Sequence, residues 1–212
     1  MIRPYEDLNH ISENRLPQRS YYIPAGDATY TLLNGVWDFA YFENGDAAPT
    51  ADAITEWGTM EVPACWQLHG CGAPNYANVR YPYPVDPPFV PDINPMGVYR
   101  RTFTYQDPEK RLYLVLEGVG SCAEVELNGQ YIGYTQGAHL QAEFDLTPAA
   151  HAGENTLVIR VRKWCSGSYL EDQDFLRFSG LFRDVYLLER PVGHAADIEV
   201  RTEENRRLFV RT

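Results

Sequence analysis

The chain has 212 residues, 44% of them hydrophobic, which suits one all-β domain, or one domain with part of another, and suffices for a proper core. Its formal net charge of -11 argues against nucleic acid or an anionic membrane as a partner, since both would repel it, and leaves room for a neutral small molecule. No apolar run approaches the ~18 to 20 residues of a membrane span, and the opening MIRPYEDLNHISENR has no apolar core of a secretory kind, so the cytoplasm is the expected compartment.

Residues 1–32 are polar and aromatic with few periodic signals, and read as an extended arm that wraps the domain or reaches a neighbour. The regular body starts at Leu33. Asn34-Gly35 makes a turn, and VWDFAYF then alternates as a strand. Val36, Asp38 and Ala40 oppose Trp37, Phe39 and Tyr41, and the aromatic row is assigned to the core. Residues 44–52 form a loop, and 59–62 a short strand ending at Pro63.

Residues 64–95 are the least regular. Pro82, Pro84, Pro87, Pro88, Pro91 and Pro95 fix φ and remove backbone donors, so this segment cannot enter a sheet interior and lies as a stiff extended loop. A loop already ordered loses little entropy on meeting a ligand or another domain. This one displays Tyr76, Asn78, Tyr81, Tyr83 and Phe89. Asn offers a donor and an acceptor to a hydroxyl, and tyrosine a flat face and a hydroxyl. A proline-rich brace packed on its own domain is the other reading.

From Gly97 onward short strands follow one another: VYRRTFTY, RLYLVLEG, CAEVELNG, QYIGYTQG, HLQAEFDL, NTLVIRVRKW and RDVYLLER. Leu157, Ile159 and Val161 oppose Val158, Arg160 and Arg162. Asn128-Gly129 between two alternating runs is the favoured two-residue hairpin turn, because both positions need positive φ. Helical periodicity is lacking; residues 147–151 offer at most one turn. Seven or more strands joined by turns imply an antiparallel β-sandwich of jelly-roll type. After Glu189, PVGHAAD is a linker and IEVRTEENRRLFVRT gives two strand fragments, marginal on their own.

Cys65, Cys71, Cys122 and Cys165 lack metal-finger spacing and are expected as free buried thiols. The histidines, His10, His69, His139, His151 and His194, lack the paired spacing of zinc sites.

The stretch WCSGSYLEDQDFLRFSGLFRDV, residues 164–185, sets Glu171, Asp172 and Asp174 beside Phe175, Leu176 and Phe178. Carboxylates stay among apolar groups only where donors, cations or a ligand compensate their lost hydration, and Arg177 and Arg183 are the nearby compensators. A solvated or salt-bridged turn is the bland alternative. Asp172 and Asp174 on one strand would stand ~6.5 to 7 Å apart on one face, whereas glycoside hydrolysis needs carboxylates flanking the scissile bond. The pair is therefore set aside as a catalytic engine.

The run SYLEDQDFLRFSGLFRDV resembles the segment that closes the N-terminal sugar-binding domain of the large bacterial β-galactosidases of glycoside hydrolase family 2. The block VPACWQLHGCGAPNYANVRYPYPVDPPFVPDINPMGVYRRTF, residues 62–103, resembles the same domain's Trp-Gln, Tyr-x-Asn-Val and Pro-Pro-Phe-Val-Pro signature in the same order. LNGVWDF at 33–39, FDL at 144–146 and AGEN at 152–155 extend the resemblance over residues 33–191.

The resemblance implies a galactose-binding-like jelly roll at 33–190, preceded by the arm at 1–32 and followed, at 191–212, by the first strands of an immunoglobulin-like domain. It implies no catalytic residue here, because the two catalytic glutamates of the retaining hydrolysis lie on a TIM barrel farther along. Asn78 matches the asparagine that binds a galactosyl hydroxyl. Asp174 matches the aspartate that contacts the 6-hydroxyl and a sodium ion, while Glu171, Asp172 and Arg177 support. Magnesium belongs to the absent catalytic domain. A β-galactoside substrate, the barrel of the same polypeptide and homo-oligomeric assembly are the expected partners. Phe175-Leu176 stands where well-known members carry Met-Trp, and Arg80 replaces a small polar residue. The alternatives are a stand-alone carbohydrate-binding module and a fragment of a β-glucuronidase, the latter disfavoured because the Asp174 carboxylate would repel a uronic acid.

Overall fold

The computed structural model describes residues 3–19, 27–171, 174–203 and 207–211. Among them, the alternating runs build two facing antiparallel sheets. The larger has seven strands in the spatial order Ser12–Glu13, Gln130–Gln136, Cys122–Leu127, Gly153–Arg162, Met96–Tyr105, Gly35–Phe42 and Gly58–Val62. The smaller has four, ordered Ala142–Asp145, Arg111–Leu116, Val185–Arg190 and Thr29–Leu32. The architecture is the expected all-β jelly-roll sandwich.

Period-two patterning places the core. Leu157, Ile159 and Val161 are fully buried and meet Leu112, Leu114 and Leu116 in one apolar cluster with Trp37, Phe39 and Tyr99. The opposite face of the larger sheet is covered as well. Val158 packs there with Ala40, Ala51, Ile54 and Val98. Residues 44–52, expected as a plain loop, fold into short 3-10 turns over that face, and Arg160 spans Glu126 Oε1 at 2.8 Å and the Pro49 carbonyl at 3.0 Å.

The Asn128-Gly129 hairpin forms as expected, with φ of 52° and 75° and Leu127 paired to Gln130. The first 32 residues supply an edge strand to each sheet. Ser12 and Glu13 pair with Thr135 and Tyr134, and Thr29–Leu32 pairs with Val185–Arg190. A buried ionic cluster fixes the arm to the smaller sheet: Glu143 receives Arg190 Nη1 and Arg19 Nε, each at 2.7 Å, with all three side chains only 4–8% exposed. Among the described residues, Glu199–Glu203 and Arg207–Arg211 pair only with each other. The cysteines are unbridged, with Cys122 and Cys165 buried; Cys65 and Cys71, expected buried, are only partly so.

Candidate functional site

The two irregular stretches, residues 64–95 and 164–185, are joined along one edge of the sandwich by a run of hydrogen bonds between distant residues. The Ala64 amide donates to the Leu181 carbonyl at 2.8 Å and the Trp66 amide to the Ser179 carbonyl at 2.9 Å. Gln67 Oε1 accepts the Ser179 amide at 3.0 Å. Asn75–Tyr76 then pairs with Leu176–Arg177, putting Tyr76 opposite Leu176. Gly180 makes the close approach possible. Its φ is +123°, and a Cβ there would lie 2.8 Å from the Ala64 carbonyl oxygen and 2.9 Å from the Tyr99 hydroxyl.

The acid-bearing strip is held from below. Trp164 and Cys165 are buried, and Ser166–Tyr169 forms a 3-10 turn whose Ser168 Oγ accepts the Cys165 amide at 3.1 Å. The Arg177 guanidinium, 7% exposed, donates through Nη2 to the Ser168 carbonyl and lies 5.9 Å from the Phe175 ring centre. Glu171 Oε1 accepts the Ala138 amide at 2.8 Å. Burial raises the Glu171 pKa above the usual carboxylate range, opposed by the Ala138 N–H and then by Arg177 and His139. Arg183, the other expected compensator, donates instead to the His139 carbonyl at 3.2 Å. Asp172 lies outside the described residues.

Above this support sit the two residues singled out from the sequence. Asn78 Nδ2 donates to the Tyr76 hydroxyl at 3.3 Å, and the Tyr76 hydroxyl donates to Asp174 Oδ1. Asn78, Tyr76 and Asp174 are all exposed, so the three polar groups form a continuous chain at the rim. Among the described residues, neither Asn78 Oδ1 nor Asp174 Oδ2 has a hydrogen-bond partner. The rim therefore offers two oxygen acceptors on exposed residues, one of them on a carboxylate. The sequence placed Tyr76 only among several displayed aromatics and gave no sign that it links the other two.

The proline-rich loop combines the two readings made of it. Tyr81 and Tyr83, expected as displayed rings, are partly buried and act as a brace. Tyr83 meets the edge of Trp164 at 5.0 Å and Tyr169 at 5.9 Å, and the Tyr81 hydroxyl donates to the Tyr169 carbonyl at 3.2 Å. Burial pushes the Tyr83 hydroxyl pKa well up. Asn78, Arg80 and Phe89 remain exposed, and residues 79–85 curl around an open concavity of about 730 Å³.

Among the described residues no three histidine, cysteine, aspartate or glutamate side chains converge on a possible metal position. Among the described residues, a hard cation at Asp174 would find one carboxylate and would need its remaining oxygens from elsewhere. No helix is long and apolar enough to cross a membrane among the described residues.

Residues 30–191 match the family described as glycosyl hydrolases family 2, sugar binding domain. A β-galactosidase of Actinobacillus pleuropneumoniae is 43% identical, with 96% of this chain and 22% of that protein covered. A β-galactosidase of Yersinia pestis bv. Antiqua (strain Angola) is 47% identical over 80% of this chain and 17% of its own length. The chain thus spans about a fifth of the length of the curated relatives it matches. Among solved structures, a Bifidobacterium dentium β-glucuronidase complexed with coumarin-3-O-glucuronide superposes with a TM-score of 0.65 at 23% identity, covering 88% of this chain and 34% of that one. That likeness speaks to the fold. A Bacteroides uniformis β-glucuronidase gives a TM-score of 0.59 at 26% identity over 78% of this chain and 18% of its own.

Proposed function

We propose, given that this chain belongs to the sugar binding domain family of glycosyl hydrolases family 2, that it is the substrate-binding wall of a retaining β-galactosidase. The whole protein would hydrolyse terminal non-reducing β-D-galactose residues, with both catalytic carboxylates on a barrel outside this chain. Asn78 and Asp174 would receive hydroxyl protons of the galactosyl unit, and Asp174 would also lend one oxygen to a sodium ion. The four unbridged cysteines support a reducing, cytoplasmic setting.

The observation that supports this reading most is the hydrogen-bonded chain Asn78–Tyr76–Asp174. It gathers an amide and a carboxylate, 96 residues apart in sequence, onto one exposed rim in a chain whose curated relatives are β-galactosidases. Supporting roles fall to Arg177 and Glu171, which hold the strip from beneath.

The β-glucuronidase reading draws on solved structures that are 17–26% identical, against 43–47% for the β-galactosidases. An exposed carboxylate at the sugar's 6-position also disfavours a uronic acid through like-charge repulsion. Hydrolysis of an aryl β-galactoside and an aryl β-glucuronide by the whole protein, with and without Asp174→Asn, is the test. Galactoside turnover that falls at least about tenfold in the variant, the loss of one hydrogen bond to a charged group, is expected. Full galactoside activity in Asp174→Asn removes that residue from the site. Measurable galactose affinity in this chain alone would favour a stand-alone carbohydrate-binding module.

A further inference from the structure

We infer that Tyr76 is a positioning residue that decides which atoms of Asn78 and Asp174 face the sugar, an inference that rests on the β-galactoside reading above. A phenol hydroxyl has one proton to give and two lone pairs to receive. Here the proton goes to Asp174 Oδ1, and one lone pair takes the Asn78 Nδ2 hydrogen at 3.3 Å. Both neighbours are thereby committed. Asn78 commits one amide hydrogen to the phenol and keeps Oδ1 as an acceptor without a partner among the described residues, and Asp174 is held by one oxygen with Oδ2 left in the same state.

The two unpartnered oxygens then ask their ligand for donors: two hydroxyl protons, or one hydroxyl proton and a cation. Without the phenol an exposed asparagine could present either its carbonyl or its amide group, and an exposed aspartate could turn to other rotamers. The bond to a carboxylate is charge-assisted and so the stronger of the two. The anchor of the phenol is firm. Tyr76 pairs through its backbone with Leu176, two residues from Asp174, so the hydroxyl and the carboxylate move with the same two-strand ladder.

The experiment is Tyr76→Phe in the whole protein, with kcat and KM measured on an aryl β-galactoside and on its monodeoxy analogues. Tyr131→Phe serves as a control, because the Tyr131 hydroxyl also contacts an exposed carboxylate, Glu13 Oε2 at 3.1 Å, in another part of the fold. Tyr76→Phe is expected to lower kcat/KM for the galactoside about ten- to a hundredfold, the worth of a hydrogen bond to a charged group, and Tyr131→Phe to leave it unchanged. On the analogue that Asp174→Asn no longer affects further, meaning the one lacking the hydroxyl that Asp174 receives, the Tyr76→Phe loss is expected to shrink below about threefold.

Three results overturn the inference: an unchanged kcat/KM in Tyr76→Phe, an equal loss on every analogue, or a variant that does not fold, since each makes the hydroxyl irrelevant or merely structural. The failure of the underlying reading looks different. Full activity in Asp174→Asn would sink the site itself, whereas an impaired Asp174→Asn beside an unimpaired Tyr76→Phe would sink the tyrosine alone.

Discussion

Glu171 accepts the Ala138 amide at 2.8 Å, which ties the acid-rich strip to the turn after strand Gln130–Gln136. Burial raises the folded pKa of Glu171 above its unfolded value. The folded state therefore holds this proton more tightly than the unfolded one. The stabilisation from that proton is present below the unfolded pKa and is lost as pH rises through the folded pKa. Glu171→Gln keeps the acceptor for Ala138 without the charge. Its melting temperature relative to the parent is expected to climb as pH rises through and above the ordinary carboxylate range. A difference that stays flat or falls over that interval would show that Arg177 and the Ala138 amide outweigh burial.

Gly180 packs against the loop at Ala64, and both its φ of +123° and the 2.8 Å that an added Cβ would keep from the Ala64 carbonyl oxygen count against any side chain. Gly180→Ala is expected to cost about 2–4 kcal/mol, the sum of backbone strain and overpacking, as measured by denaturant unfolding. It should also loosen the Ala64–Leu181 and Trp66–Ser179 contacts, seen as faster amide exchange at those residues.

Glu143 is the buried anion of the smaller sheet that holds the arm, bonded to Arg19 of the arm and to Arg190. Glu143→Ala strands guanidinium charge in a desolvated place and is expected to cost about 3–5 kcal/mol. Glu143→Gln is expected to fall between, because it keeps an acceptor while losing the charge. Equal stability of Glu143→Ala and the parent would show that the arm contributes nothing to the fold.

The sodium ion proposed at Asp174, sharing it with oxygens from outside this chain, would make the whole protein's activity respond to the cation. Replacing sodium by potassium at constant ionic strength is expected to lower kcat/KM in the parent and to leave Asp174→Asn unaffected. The same response in both proteins would move the ion away from residue 174.

Much of the fold was legible because one face of each strand is apolar. The row Trp37 and Phe39, the alternation Leu157, Ile159 and Val161, and the Asn128-Gly129 turn all carry their structural instruction in a few neighbouring residues. Thr29–Leu32 carried none, since every side chain in it is exposed and pairing with Val185–Arg190 is its main tie to the sheet. The Glu143 cluster was hidden for another reason: its cations lie 124 and 47 residues away, and no local pattern marks a pair at such distance. Asn78 and Asp174 were picked out through resemblance to a family, not through spacing. The linking role of Tyr76, named only as a displayed ring, escaped notice because a rim tyrosine reads the same whether it stacks on a ligand or orders its neighbours.

The ladder between Asn75–Tyr76 and Leu176–Arg177 spans 100 positions of sequence. Contacts of such separation form late, because a long loop must close before they are rewarded. During synthesis, the amide at 78 leaves the ribosome well before the acid at 174, and the two meet only when nearly the entire sandwich has emerged. A polypeptide truncated before residue 174 would lack the assembled rim, so recognition of the proposed galactoside would double as a readout of completed folding.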